Sequence, residues 1–313
     1  MTSVNPGLPV VTNPATIATS MITNLERDQS SIAALETEVS TGFAVNTPAD
    51  SPGEAANIVS LQASITRASQ YQTNAQDGIG WLNTANSTMN SVIGLLQQVR
   101  SVVLGISSAD LSQGQAGLNA VADQVTSSLQ ELVGLANTQY AGQAIFSGTG
   151  NPHAAYDPAG NYLGAGNPPV RTVAPGTQVP ISATGPQVFG TGATGLLSSV
   201  PGNLGVLAQI VSDLQTGTPA SVQAAQTTDL ANLDTATTQV ETQAAVLGGA
   251  QQSMQAYSEQ ATNTTNSLTQ QLSSVSDVNM AQALTNLQLQ QSAYQSALYA
   301  TSQLKTDSIV QYL

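Results

Sequence analysis

Hydrophobic positions recur along most of this chain with a helical period, and at both ends they do so with heptad spacing. After Pro14, the residues Met21, Leu25, Ile32, Leu35 and Val39 fall on the a and d positions of one heptad frame, with Asp28 the single polar intruder. Thr41-Gly42 ends that pattern. The next stretch, NTPADSPG, carries Pro48 and Pro52, neither of which a helix interior tolerates. Ser51 before Pro52, with Glu54 three residues on, reads as an N-cap, a first-turn proline and a capping-box partner. The helix so started carries Ile58, Leu61 and Ile65, then Ile79, Leu82, Met89, Val92, Ile93 and Leu96, and is expected to end near Ile106. SSADLSQGQAG is a break, and a further helix is expected from about Leu118 to Leu135.

The pattern changes at Tyr140. From there to about Gly205, Gly and Pro are dense and the helical period is lost. Short runs, QAIFSG, PPVRTVA, TQVPISA and QVFGTG, read as brief strands joined by turns. Phe146, Tyr156, Tyr162 and Phe189 supply material for a minor core in this segment. Helical spacing resumes near Leu207 and reaches the end, through Leu268, Leu272 and Val275 and then Leu284, Leu287, Tyr294 and Leu298. The expected fold is therefore mainly α: long coiled-coil arms formed by both termini, with a small β-rich domain inserted between them. The division expected is a terminal helix over 1–45, a helical domain over 46–140, a β-rich insertion over 141–205, the returning helical part over 206–275, and a C-terminal helix over 276–313.

Composition narrows the function. Charged residues are only 7% of the 313, against roughly 25% in an ordinary soluble protein. Gln, Asn, Ser and Thr occupy the polar positions instead. The net charge of −13 reflects the scarcity of basic residues, which number five: Arg27, Arg67, Arg100, Arg171 and Lys305. Such a chain cannot displace counterions from phosphates, so neither nucleic acid nor an anionic membrane is expected as a partner. No run approaches the roughly 18 apolar residues of a membrane span. The first twenty residues lack the basic and apolar regions of a secretory signal, so export, if it occurs, is expected without a cleavable signal peptide.

Candidate chemistry is sparse. There is no cysteine, and the one histidine, His153, sits in a loop with only Asp157 nearby in sequence. GTG at 148–150 is too short for a dinucleotide fingerprint, and no P-loop, GxSxG or HExxH occurs. The acids Glu26, Asp28, Glu36 and Glu38 read as a solvated helix face. No catalytic, cofactor or metal site is expected.

The stretch STGFAVNTPADSPGEAANI closely resembles the signature of the flagellin superfamily, through Ser40, Thr41, Gly42, Asn46, Pro48, Asp50 and Pro52. NAQDGIGWLNTANSTMNSVIGLLQQVR resembles that family's third helical segment. LSSVSDVNMAQALTNLQLQQSAYQSALYATSQLKTDSIVQYL resembles its C-terminal signature. Within the superfamily, Phe146, Tyr162, Gly185, Val188, Phe189 and Gly190 stand where the hook-associated protein 3 family has matching residues, and SIVQYL also suits that family.

The resemblance implies a structural subunit, not an enzyme, that joins hook to filament in the bacterial flagellum; a short flagellin forming the filament is the alternative. It implies self-assembly into a ring, contacts with a neighbouring hook-associated protein and with flagellin, handling by an export chaperone and the export apparatus, and an extracellular location. The implied assembly interface is Met21, Leu25, Ile32, Leu35, Val39, Leu284, Leu287, Tyr294, Leu298 and Leu313. The implied hinge is Gly42, Asn46, Pro48, Asp50 and Pro52, with Asp277 marking the returning crossing. Two departures stand out: Phe43-Ala44 replaces basic residues usual in the family, and Ser276 and Asn279 stand where acids are common.

Overall fold

A computed structural model describes residues 14–106, 114–150 and 153–310, and these fall into two units. One comprises residues 1–66 with 266–313, the other residues 67–265. Leu313, the first thirteen residues and most of the break at 107–117 lie outside the described residues.

The first unit contains α1 (Pro14–Thr41), the start of α2 (Pro52–Leu104), the end of α7 (Leu230–Ser276) and α8 (Met280–Val310). Both predicted punctuation marks act. The α1 helix stops at Thr41, where Gly42 takes φ 79°, a left-handed value that favours glycine, and donates its amide to the Glu38 carbonyl at 2.8 Å. Pro52 opens α2, where its missing amide costs nothing.

The second unit is built on the rest of α2 and α7, with α3 (Gln115–Ala136), α5 (Val206–Thr216) and α6 (Pro219–Ala224). Uncharged side chains knit α2 to α7. Gln72 donates to Thr262 at 2.9 Å, Asn86 to Gln251 at 2.7 Å, and Gln251 to Asn83 at 2.9 Å. One ion pair, Arg100 with Asp234 at 2.8 Å, extends the series. Partner numbers fall on α7 as they rise on α2, so the helices are antiparallel. Amide and hydroxyl pairs thus fill positions that ion pairs often occupy.

Among the described residues, three antiparallel two-stranded hairpins interrupt the helices: β1 (Gln139–Tyr140) with β2 (Gln143–Ala144), β3 (Val170–Ala174) with β4 (Thr177–Pro180), and β5 (Ser199–Val200) with β6 (Asn203–Leu204). PPVRTVA and TQVPISA are the second hairpin, as expected. Of QAIFSG, only Gln143–Ala144 is strand. QVFGTG is not a strand at all: Gly185–Phe189 is a short helix, α4. The reason is local, since Pro186 presets the first turn and Gln187 Oε1 accepts the Thr184 amide at 2.9 Å. Gly185 is needed for space, because a Cβ there would lie 2.5 Å from the Tyr156 hydroxyl.

The aromatic residues of this segment do not form a core of their own. Phe146 and Phe189 meet edge to face at 5.3 Å, and Tyr156 meets Phe189 at 5.7 Å. All three belong to the same buried cluster as Leu82, Met89 and Leu96 of α2 and Leu132 of α3. Arg171 on β3 adds an ion pair to Asp77 of α2 at 2.7 Å and lies 5.9 Å from the centre of the Trp81 ring.

Candidate functional site

The predicted assembly and turn residues that are described, Leu313 being outside them, lie in the unit formed by the chain ends. There α1 and α8 pack antiparallel. On α1 the half-buried positions Met21, Leu25, Asp28, Ile32, Leu35 and Val39 step by four and three, which is one continuous seam. On α8 the covered positions are Ala283, Leu287, Gln290, Tyr294, Ala297 and Thr301, again at four and three. Asp28 is therefore a seam residue and not part of a solvated face. It accepts a hydrogen bond from Gln290 Nε2 at 2.9 Å. A polar pair within an otherwise apolar seam fixes register, since any slip leaves both groups unpaired.

Leu287 and Tyr294 sit in this seam, whereas Leu284 and Leu298 do not. Each is 44% exposed, on a stripe beside the seam that also includes Met280. Leu289 and Tyr299, at 69%, project elsewhere on the helix, as does Ile22 on α1. From Met280 to Ser302, α8 carries no charged residue. The helix thus presents Leu, Met, Gln, Asn and Ser to solvent, a face without electrostatic preference.

The turn region is a small hydrogen-bonded structure. The Asp50 carboxylate accepts from the Asn46 amide at 3.0 Å, the Thr47 amide at 2.7 Å and the Thr47 hydroxyl at 3.0 Å. These donors, Thr47 foremost, hold its pKa below the usual carboxylate value. Asn46 Nδ2 donates to the Phe43 carbonyl at 2.9 Å. Alongside, the Ala44 amide donates to the Ser276 carbonyl at 2.7 Å and the Val278 amide to the Gly42 carbonyl at 2.9 Å, with Phe43 bridged to Asp277. Outgoing and returning chains are thereby joined by backbone hydrogen bonds. Asp277 accepts from the hydroxyls of Ser273 and Ser276, which lower its pKa. Ser276, where the family resemblance anticipates an acid, thus holds an acid instead.

Sequence reasoning missed Gln290, Ser273 and the small seam residues Ala283 and Ala297. Counting by four and three from Leu287 and Tyr294 would have found the seam; weighting by hydrophobicity selected Leu284 and Leu298.

The second unit holds a cleft of about 180 Å³ between Tyr156, Tyr162, Asn161, Ser198 and Asn203, floored by glycines. It contains no acid, base or nucleophile pair. Asp157 is committed to its own turn, accepting from the Asn161 amide and side chain at 2.8 Å each. Among the described residues no group of three or more His, Asp or Glu is placed to hold a metal, and no helix is long and apolar enough to cross a membrane.

A solved protein from Vibrio parahaemolyticus assigned as a flagellar hook-associated protein shares the fold, with a TM-score of 0.61, 19% identity, and 73% of this chain and 100% of that one covered. So does flagellar hook associated protein-3 of Legionella pneumophila, at a TM-score of 0.56, 14% identity, and 70% and 98% coverage. By sequence, phase 2 flagellin of Salmonella abortus-equi is 28% identical over 125 residues, 40% of this chain and 24% of the flagellin. The matched region therefore spans about a quarter of that relative's length. The family model of the bacterial flagellin N-terminal helical region matches residues 12–151, and that of the C-terminal helical region matches residues 230–313. Between them these two halves account for most of the sequence, in the order and at the ends where α1, α2, α7 and α8 lie, and the chain belongs to the bacterial flagellin family.

Proposed function

We propose that this chain is a structural subunit of the bacterial flagellum, not an enzyme, and that it joins the hook to the filament. The observation that carries the reading is the α1–α8 pair, which leaves an uncharged apolar stripe, Met280, Leu284 and Leu298, open beside its own seam. Identical subunits packed side by side repeat every surface charge, and opposed like charges cost free energy. A face of Leu, Gln, Asn and Ser avoids that repulsion and hydrogen-bonds laterally. The proposed partners are further copies in a ring, a neighbouring hook-associated protein and flagellin, with an export chaperone and the export apparatus earlier. The proposed location is the extracellular flagellum. Met21, Leu25, Ile32, Leu35, Val39, Leu287 and Tyr294 hold the helix pair together; Leu284 and Leu298 meet neighbours.

The short-flagellin reading is favoured by the sequence relatives, which are flagellins. Deleting the gene separates the two. Loss of a junction protein leaves hooks in place, stops filament growth and releases unpolymerised flagellin into the medium. Immunogold labelling confined to the distal end of the hook supports the junction; uniform labelling along the filament overturns it in favour of flagellin.

A further inference from the structure

A second feature lies in the other unit, far in sequence from the assembly residues. Between α6 and α7 the helix widens into a π segment, Ala225–Asp229, which packs on α5. Such segments are uncommon and mark places where a helix is held in a less favourable winding. Its last residue, Asp229, is an acid only 5% exposed. Asp229 Oδ2 is buried without a hydrogen-bond partner, and the neighbouring acid that acts on it is Asp213 of α5, the helix on which the π segment packs. Asp213 lies in the last turn of α5, where unpaired carbonyls disfavour a negative charge. Two carboxyl groups in contact need one proton between them to attract rather than repel.

We propose that Asp213 and Asp229 share a proton that fastens the π segment to α5, and that loss of this proton loosens the contact.

The surroundings offer no substitute for the proton. Neither α3, α5, α6, the π segment, β6 nor α7 carries a Lys or Arg. The acids that α3 contributes, Asp123 and Glu131, are exposed, and Asp234 at the start of α7 is paired with Arg100 of α2. Burial first, and then the Asp213 contact, push the Asp229 pKa from 3.8 up to about 7. A raised carboxyl stabilises the fold fully below the unfolded value, and that contribution is lost as pH rises towards and through 7. The switch therefore works between about pH 4 and 7, and its upper part, above about pH 5.5, lies beyond the range in which ordinary carboxyl groups titrate. The carboxylates whose pKa values are lowered, Asp50, Asp157 and Asp277, change charge below this range.

The test is hydrogen exchange of the full chain, followed in peptides spanning residues 213–230 and corrected for intrinsic base catalysis. It is run in an H153Q background, because histidine is the other side chain that ordinarily titrates in the window. Opening of the segment should rise by up to about tenfold per pH unit between pH 5 and 6.5. In D229N the amide donates to the Asp213 carboxylate without a proton, and opening should be flat across the same range. D213N restores the same complementarity from the other side and decides the matter if D229N does not fold. A flat profile in the parent chain, or an undiminished slope in the folded variants, overturns the proposal.

Discussion

The two units of this protein stabilise themselves in opposite ways. In residues 67–265, side chains such as Leu82, Met89, Phe146, Phe189 and Ile210 are wholly buried in one cluster. In the unit made by the chain ends, the only buried side chains among the described residues are Ala283 and Ser276. Its seam residues are half-covered, and Leu284, Leu298, Ile22, Phe43 and Val59 stand exposed. A fully buried Leu, Phe or Met contributes roughly 1.5–3 kcal/mol relative to exposure, and a half-buried one correspondingly less. The central unit thus closes its own core. The terminal unit leaves apolar surface uncovered, the surface that the proposed packing of neighbours would cover.

The sharpest way to break this contrast is a charge on the reserved surface. Leu298→Asp should leave the free chain's stability within about 0.5 kcal/mol, because the side chain is already exposed. It should nevertheless abolish stable incorporation into flagella, since a buried charge would recur at every subunit contact. Motility assays and detection of exported, unincorporated protein check this; wild-type motility would contradict it. Next in size is truncation of each core. Phe189→Ala should cost about 3–5 kcal/mol in urea unfolding of the free chain. Leu35→Ala, in the half-covered seam, should cost about 1–2 kcal/mol there and more once assembled.

How far the sequence foretells this contrast depends on which residues carry it. The α1 seam was legible because Met21, Leu25, Ile32, Leu35 and Val39 are all apolar at heptad spacing. The α8 seam was not, because Ala283, Gln290, Ala297 and Thr301 are small or polar, and larger leucines next to them dominate the pattern. The turn at 42–52 was legible from Gly42, Pro48 and Pro52, whose effects are local. Asp277 is bridged to Phe43 and held by Ser273 and Ser276, and these serine donors leave no signal in the apolar pattern. In the middle segment, the β3–β4 hairpin followed from its Val and Thr content. QVFGTG misled because a capping interaction from Thr184 outside the run decides its conformation. The β5–β6 hairpin, two residues per strand, lies below what periodicity can register.

Two smaller effects sharpen the picture of the terminal unit. Asp28→Ala removes the partner of Gln290 and should destabilise the α1–α8 pair by about 1 kcal/mol, while Asp28→Leu should recover stability but broaden register, visible as multiple conformers by NMR. Last, Asp50 and Asp277 have lowered pKa values, so their contribution is present at neutral pH and disappears as pH falls below the ordinary carboxylate range. Acid titration should therefore loosen the turn at 42–51. Asp50→Asn should flatten that response in chemical shifts of Asn46 and Thr47, with little change in global unfolding.

The central claim is that the terminal unit waits for neighbours while the central unit does not. Residue-resolved hydrogen exchange of a demonstrably monomeric sample, compared with the same protein in assembled flagella, tests it most directly. In the monomer, amides of residues 14–41 and 280–302 should exchange orders of magnitude faster than those of α2 and α7 between residues 67 and 265, and assembly should slow the terminal amides alone to a comparable rate. Equal protection of both units in the monomer would contradict the account.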